Sequence, residues 1–152
     1  MSDHVCLDSS VLIKVLTLEE ESELAAQLLE RIFENNQVVV LPSVAWAEIG
    51  NVLRQKVARK EINSYEAEAA WRNFCNLRFS IYAEAEDLWN QAWSISVAEN
   101  LSTLYDAAYL AVSELTVKES DIGQCLFWTA DEKLVNSLQG RKDYIRLLSN
   151  FT

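Results

Sequence analysis

Short apolar runs, each followed by a longer stretch in which hydrophobic residues recur at helical spacing, constrain this chain more than any other feature. That alternation predicts an α/β domain whose central sheet is mainly parallel. Val38-Val39-Val40-Leu41 is the clearest run, apolar on both faces as strands buried in parallel sheets are. Val5-Cys6-Leu7, Phe79-Ser80-Ile81-Tyr82, Cys125-Leu126-Phe127-Trp128 and Tyr144 to Leu148 complete a sheet of about five strands. Between them, Ser9 or Ser10 is placed to cap a first helix, and Thr17-Leu18-Glu19-Glu20 reads as a capping box opening a second, with Leu24, Leu28, Leu29 and Ile32 as its stripe. Pro42-Ser43 starts a helix carrying Trp46, Ile49, Leu53 and Val57, and Asn63-Ser64-Tyr65-Glu66 opens one containing Trp71, Phe74 and Cys75. A helix over 84–97 has Leu88, Trp89 and Ala92 as core candidates. Ser102-Thr103 caps a helix through Leu110 to Leu115, a polar loop covers Lys118 to Gln124, and Thr129 caps the helix of Leu134, Val135 and Leu138.

With 152 residues, half of them hydrophobic, the chain fits one domain, 1–152, with a core of its own. Thirteen basic against twenty-three acidic side chains give a net charge of −10. Such a surface repels nucleic acid and anionic membranes on average, so a phosphate-bearing partner must be held locally. Cys6, Cys75 and Cys125 show no CxxC spacing, so neither a zinc knuckle nor a disulfide framework is readable, and reduced thiols suit a cytoplasmic protein. Met1-Ser2-Asp3-His4 does not begin a signal peptide, and no apolar run reaches the roughly 18 residues of a membrane span. The one histidine, His4, lies at the terminus, which leaves Ser-His-Asp and Cys-His mechanisms unsupported. No GxGxxG or GxxxxGK[ST] loop is present.

What remains in abundance is carboxylate. Ligands of open parallel sheets bind beyond the carboxyl ends of the strands. Asp8 directly follows the first strand, Asp131 follows the fourth, Asp106 lies in the first turn of its helix, and Glu48 lies near the start of the helix after the second strand. Each has a structural alternative. Asp8 suits a turn, Thr103 with Asp106 resembles a capping box, and Thr129 with Glu132 makes a capping box around Asp131. Glu48 is the most informative, because Val44, Ala45, Asn51 and Val52 at its helical neighbours supply no cation to pair with it. Taken together, four acids at one end of the sheet repel unless a cation relieves them. An all-oxygen donor set selects Mg²⁺ or Mn²⁺ over zinc.

Four segments, Asp8-Ser9-Ser10-Val11-Leu12-Ile13-Lys14, Glu48-Ile49-Gly50-Asn51-Val52-Leu53, Tyr105-Asp106-Ala107-Ala108-Tyr109-Leu110-Ala111 and Thr129-Ala130-Asp131-Glu132-Lys133-Leu134, follow one another in the order and approximate spacing of PIN-domain ribonucleases. The chain most resembles the VapC-type toxins of toxin–antitoxin pairs. The resemblance implies a three-layer α/β/α fold and Mg²⁺- or Mn²⁺-dependent endonucleolytic cleavage of RNA. It assigns Asp8, Glu48, Asp106 and Asp131 as the metal-site acids. It also implies a cognate antitoxin and a homodimer. The stretch Thr116 to Gln124 is longer than is usual between the third and fourth motifs, and the chain is acidic for an RNA enzyme.

Within this reading, Ser9 or Thr129 orients ligands or caps a helix, and Arg54, Lys56, Arg59 and Lys60 either contact an RNA backbone or stabilise a helix C-terminus. The tryptophans at 46, 71, 89 and 93 are core or subunit interface, with the Glu48 and Trp71 helices expected against another chain. Two rival classes are a catalytically silent PIN-like protein-binding module and a phosphoacceptor domain. The second would want an acidic pair after the first strand, where Asp8 is followed by two serines.

Overall fold

A computed structural model of the chain describes residues 3–83, 85–120 and 123–152. Its elements run β1 (His4–Leu7), α1 (Ser9–Leu16), α2 (Ser22–Glu34), β2 (Val38–Leu41), α3 (Ala45–Ala58), α4 (Ser64–Asn76), β3 (Ser80–Ile81), α5 (Ala85–Ala98), α6 (Leu104–Ser120), β4 (Leu126–Thr129), α7 (Glu132–Leu138) and β5 (Ile145–Leu147), then one 3₁₀ turn at Leu148–Asn150. The strands form one sheet in the order β3-β2-β1-β4-β5, with every pairing parallel. From β1 the chain winds outward to β2 and β3, then returns to the other side of β1 as β4 and β5. Right-handed crossovers put the helices of the two halves on opposite faces, which makes the fold a three-layer α/β/α arrangement. The switch point falls between β1 and β4.

Burial follows from this. Val5, Cys6 and Leu7 in the central strand are at most 1% exposed, as are Val39 and Leu41 beside them. On β4 the side chains alternate: Phe127 meets Tyr109 of α6 at a ring separation of 6.1 Å on one face, and Trp128 meets Phe151 edge-on on the other. Helix α6 is buried nearly all round from Ala107 to Val112, as a helix laid across the middle of a sheet must be.

Several sequence expectations shift. Neither Ser9 nor Ser10 caps α1, since the N-cap is Asp8. Thr17 is the C-cap of α1 rather than the start of α2. The turn between them is held by the Ser22 hydroxyl, which donates to the Thr17 carbonyl and accepts from the Glu19 amide. Strand β4 lies one residue later than expected, and Thr129 is its last residue, while the N-cap of α7 is Asp131. Helix α6 continues to Ser120 and absorbs the first half of the expected polar loop. Met1, Ser2, Glu84, Asp121 and Ile122 lie outside the described residues. Trp46 and Trp89 are 63% and 66% exposed. The buried line of α3 is Ala45, Ile49 and Leu53, and that of α5 is Leu88, Ala92 and Ile95. Each tryptophan sits one residue, or about 100°, off the apolar stripe it was grouped with.

Three glycines are too few to end seven helices, and other residues take the left-handed conformation instead. Asn36, Lys60 and Asn100 have φ of 55°, 61° and 52°. In each case the next amide reaches back five residues, Gln37 to Ile32, Glu61 to Lys56 and Leu101 to Ser96, which closes a Schellman motif. Lys60 is therefore a helix terminator, and a β-carbon in that conformation costs about 1–2 kcal/mol. Lys60→Gly is expected to raise unfolding free energy by about 1 kcal/mol in urea titration, with an unchanged m-value.

Candidate active site

The ends of β1 and β4 converge at the switch point. The Asp8 amide donates to the Trp128 carbonyl at 2.9 Å, so the chain leaves both strands side by side. As N-cap of α1, Asp8 uses its backbone carbonyl to accept from the amides of Val11 and Leu12. Its carboxylate makes no capping bond. Instead Oδ2 accepts from the Ser10 hydroxyl at 2.7 Å and the Thr129 hydroxyl at 2.8 Å. Each hydroxyl in turn accepts an amide, Ser10 from Ala130 and Thr129 from Asp131, both at 3.0 Å. With their lone pairs engaged by N–H donors, both hydroxyl protons are available to the carboxylate. Oδ1 receives no hydrogen bond from the described residues.

Asp8 is only 4% exposed. Burial is the largest influence on its titration, followed by the two hydroxyl bonds, which act the other way, and by repulsion from Asp106 and Glu48; the outcome is a pKa raised to about 7. Asp106, in the first turn of α6, is also pushed upward, first by partial burial and then by repulsion from Asp131 and Glu48. Glu48 lies in the first turn of α3. Its Oε1 accepts from the Tyr109 hydroxyl at 3.0 Å. Tyr109 follows Asp106 by three residues on α6, so one helix supplies an acid and the group that orients another. Burial and the neighbouring acids keep that phenol protonated far above its ordinary range. Asp131 accepts from the Leu134 amide at 3.2 Å as the N-cap of α7.

All four acids named from the sequence therefore share one electrostatic neighbourhood, with Asp106 coupled to the other three. They do not close on one point: among the described residues no three acidic, thiol or imidazole groups form a ready chelate. None of the four takes part in an ion pair among the described residues. A buried carboxylate with one oxygen uncommitted, three further acids and no cation is a donor set suited to a hard divalent metal.

Sequence reasoning named Ser9 as an orienting hydroxyl, and the structure gives that position to Ser10. Of the two roles open to Thr129, cap or orienting group, its hydroxyl takes the second by donating to Asp8. Tyr109 was overlooked although it stands in the third motif; its i+3 spacing from Asp106 was the available signal. The basic run divides. Lys60 ends a helix, whereas Lys56 pairs with Glu19 at 2.8 Å.

The chain matches the PIN domain family over residues 5–136. Comparison with curated protein sequences gives no significant match. Among solved structures the chain is similar to a toxin–antitoxin complex from Klebsiella pneumoniae, at 17% identity and a TM-score of 0.59, over 95% of this chain and 97% of that one. It is also similar to Mycobacterium tuberculosis VapC20, a sarcin–ricin loop cleaving toxin, at 18% identity and a TM-score of 0.57, over 86% of this chain and 94% of that one. At such identities the two structures speak for the fold alone, an all-parallel five-stranded sheet. The family match extends over most of the sequence and spans all four acidic segments, and the chain belongs to the PIN domain family.

Proposed function

We propose that this protein is a metal-dependent endoribonuclease, the toxin of a toxin–antitoxin pair, with residues 1–152 acting as one PIN-like unit. The observation that carries the reading is the gathering of Asp8, Glu48, Asp106 and Asp131 at the β1/β4 switch point without any cationic partner. Family membership supports it, as does the likeness to two toxin structures, one of them described as cleaving the sarcin–ricin loop.

Asp8 through Oδ1, together with Asp106 and Glu48, would hold Mg²⁺ or Mn²⁺, and Asp131 would hold a second ion or the water shell. An open set of carboxylates suits Mg²⁺, which keeps several waters and is completed by substrate phosphate. When bound, such an ion lowers the pKa of a water and offsets charge on the phosphodiester transition state. The protein's own groups supply position. Ser10 and Thr129 hold the Asp8 carboxylate in one orientation, Tyr109 aims Glu48 into the cleft, and the α7 amide of Leu134 restrains Asp131.

The partners that follow are an RNA substrate, a cognate antitoxin that blocks the cleft, and a second copy of the chain. A homodimer is supported by exposed apolar side chains at the start of α3, on α5 and at the start of α6: Trp46, Trp89, Trp93, Leu104 and Tyr105, each more than half exposed. Of the core and interface alternatives for Trp71, its ring takes the first and packs within the chain, against Gly50 and Phe74. Among the described residues no helix is long and apolar enough to cross a membrane, and a cytoplasmic location fits the proposed role.

Incubation with total RNA and Mn²⁺ or Mg²⁺ is expected to generate new 5′ ends that EDTA abolishes. Asp106→Asn should lower kcat/KM at least about 100-fold, or about 2.7 kcal/mol, and Thr129→Val, acting through Asp8, about 10–100-fold. Absence of new ends under all metal conditions would leave the silent binding module in possession. Stability should show the same charge conflict. Between the unfolded pKa of Asp8, near 3.8, and its folded pKa, about 7, the folded chain holds a proton that the unfolded chain has released. Raising pH through that window therefore removes stability, by about 4 kcal/mol at most. In EDTA, the Tm of the native chain should fall more steeply from pH 5 to 8 than that of Asp8→Asn. Mg²⁺ should restore the native Tm at pH 8 and leave the variant unmoved. Finally, Trp93→Glu should convert a dimer into a monomer in sedimentation velocity without altering the far-UV spectrum.

A further inference from the structure

An RNA substrate is a polyanion, and the chain that would bind it carries a net charge of −10 and groups four acids electrostatically at one site. Some local group must hold the backbone. Next to Asp131, a cleft of about 420 Å³ is lined by Ser9, Ser10, Ala130 and Asp131 together with Lys14, Glu19 and Lys56. Ser10, whose hydroxyl holds Asp8, and Lys14 are four residues apart on α1, and Glu48 and Lys56 are eight apart on α3. Both spacings return to the same helix face, so each helix presents a site residue and then a lysine further along that face, about 6 Å on for α1 and about 12 Å for α3.

The two ammonium groups meet at one carboxylate. Lys56 Nζ lies 2.8 Å from Glu19 Oε2 and Lys14 Nζ 3.4 Å from Oε1, so each oxygen takes one cation. Glu61 adds a weaker contact to Lys56 at 3.6 Å, and Lys14 also donates to the Glu20 carbonyl at 2.7 Å. The lysine side chains are only 15% and 17% exposed, Glu19 28%. This differs from the rest of the basic run: Arg54, Arg59 and Lys60 are exposed and do not line the cleft. Two cations facing the two oxygens of one anion match the two non-bridging oxygens of a phosphodiester.

We propose that Lys14 and Lys56 form a phosphate-binding pair that grips the RNA backbone beside the bond to be cut, and that Glu19 occupies this pair in the free protein and gives way to the phosphodiester. The proposal rests on the ribonuclease reading above. Exchange of one anion for another leaves the lysines paired in both states, so half-buried cations are never left uncompensated. It also makes Glu19 a competitor of the substrate. A purely structural role would instead have Glu19 tie the α1–α2 turn to α3 and have no bearing on RNA.

The test measures binding and cleavage separately, on the full chain. In the Asp8→Asn background, the affinity for a fluorescein-labelled single-stranded RNA is followed by anisotropy over a range of KCl concentrations. Lys14→Met and Lys56→Met should each flatten the plot of log K against log[salt] by about 0.7, the value of one phosphate contact on a single strand, while Arg54→Met leaves it unaltered. Glu19→Gln should tighten binding about tenfold. In the active chain the lysine substitutions should raise KM and spare kcat. Unchanged slopes accompanied by a lower Tm, or weaker binding by Glu19→Gln, would overturn the proposal in favour of a structural clamp. If a methionine variant fails to fold, Lys56→Gln and Lys14→Gln carry the same expectation. RNA cleaved with the slopes unmoved defeats the lysine pair alone; slopes that respond without any cleavage defeat the nuclease reading alone; and no RNA binding at all defeats both.

Discussion

The site depends on a carboxylate kept where carboxylates are costly. Asp8 sits almost out of water at the junction of two central strands, and the only direct compensation it receives from the described residues is a pair of hydroxyl protons on one oxygen. Two neutral hydrogen bonds offset only part of the desolvation of an ion, and two further acids, Asp106 and Glu48, oppose it. The rest of the local architecture maintains this arrangement. The Asp8 amide is bonded to β4, the two hydroxyls are each anchored by a backbone amide, and the chain is committed to helix at both Asp8 and Asp131. Such an anionic cluster in a hydrogen-bonded frame is the arrangement the proposed cation site would require, at a cost to stability.

The topology explains why these particular residues meet. An all-parallel sheet whose order reverses at β1 brings the exits of β1 and β4 together, and leaves a crevice where neither crossover covers the strand ends. Helix α6, crossing the sheet on the return path, delivers Asp106 at its start and Tyr109 one turn on. Helix α3 delivers Glu48 from the other half. Segments separated by up to 121 residues, as Asp8 and Thr129 are, thus share hydrogen bonds.

Much of this was legible in the residues because strand exits are. An acid immediately after an apolar run has few places to go, and Asp8, Glu48, Asp106 and Asp131 stood at the starts of helices in a βα alternation. The phase of an amphipathic stripe was harder to read. Hydrophobicity groups Trp46 with Ile49 and Leu53, yet Ala45 is the residue that is buried in line with them, and Trp46 turns outward. The same error placed Trp89 inside. Capping signals misled where two chemistries used the same letters: Thr129 reads as a cap from its spacing to Glu132, but its hydroxyl belongs to Asp8, and Asp131 caps in its place. Tyr109 is hard to recognise as a functional residue since its partner, Glu48, lies 61 positions away, and only the i+3 spacing from Asp106 hints at it.

The acidity of the chain looked like an argument against RNA, and the placement of its cations changes the weight of that argument. Arg141 is engaged by Glu99, and Lys142 by Glu114, which also accepts from Tyr144. Lys60 terminates a helix. Against that background the convergence of Lys14 and Lys56 on one carboxylate next to the cleft is the exception, two cations sharing one close anion. Long-range attraction to RNA is lacking in such a protein, because its net charge is −10 and salt screens individual cations beyond a Debye length. Recognition must then come from short-range contacts made after encounter. If the proposed lysine pair grips RNA, a surface repulsive overall but cationic beside its acids would hold the strand only where it enters the cleft, which disfavours non-specific binding along the rest of the polymer.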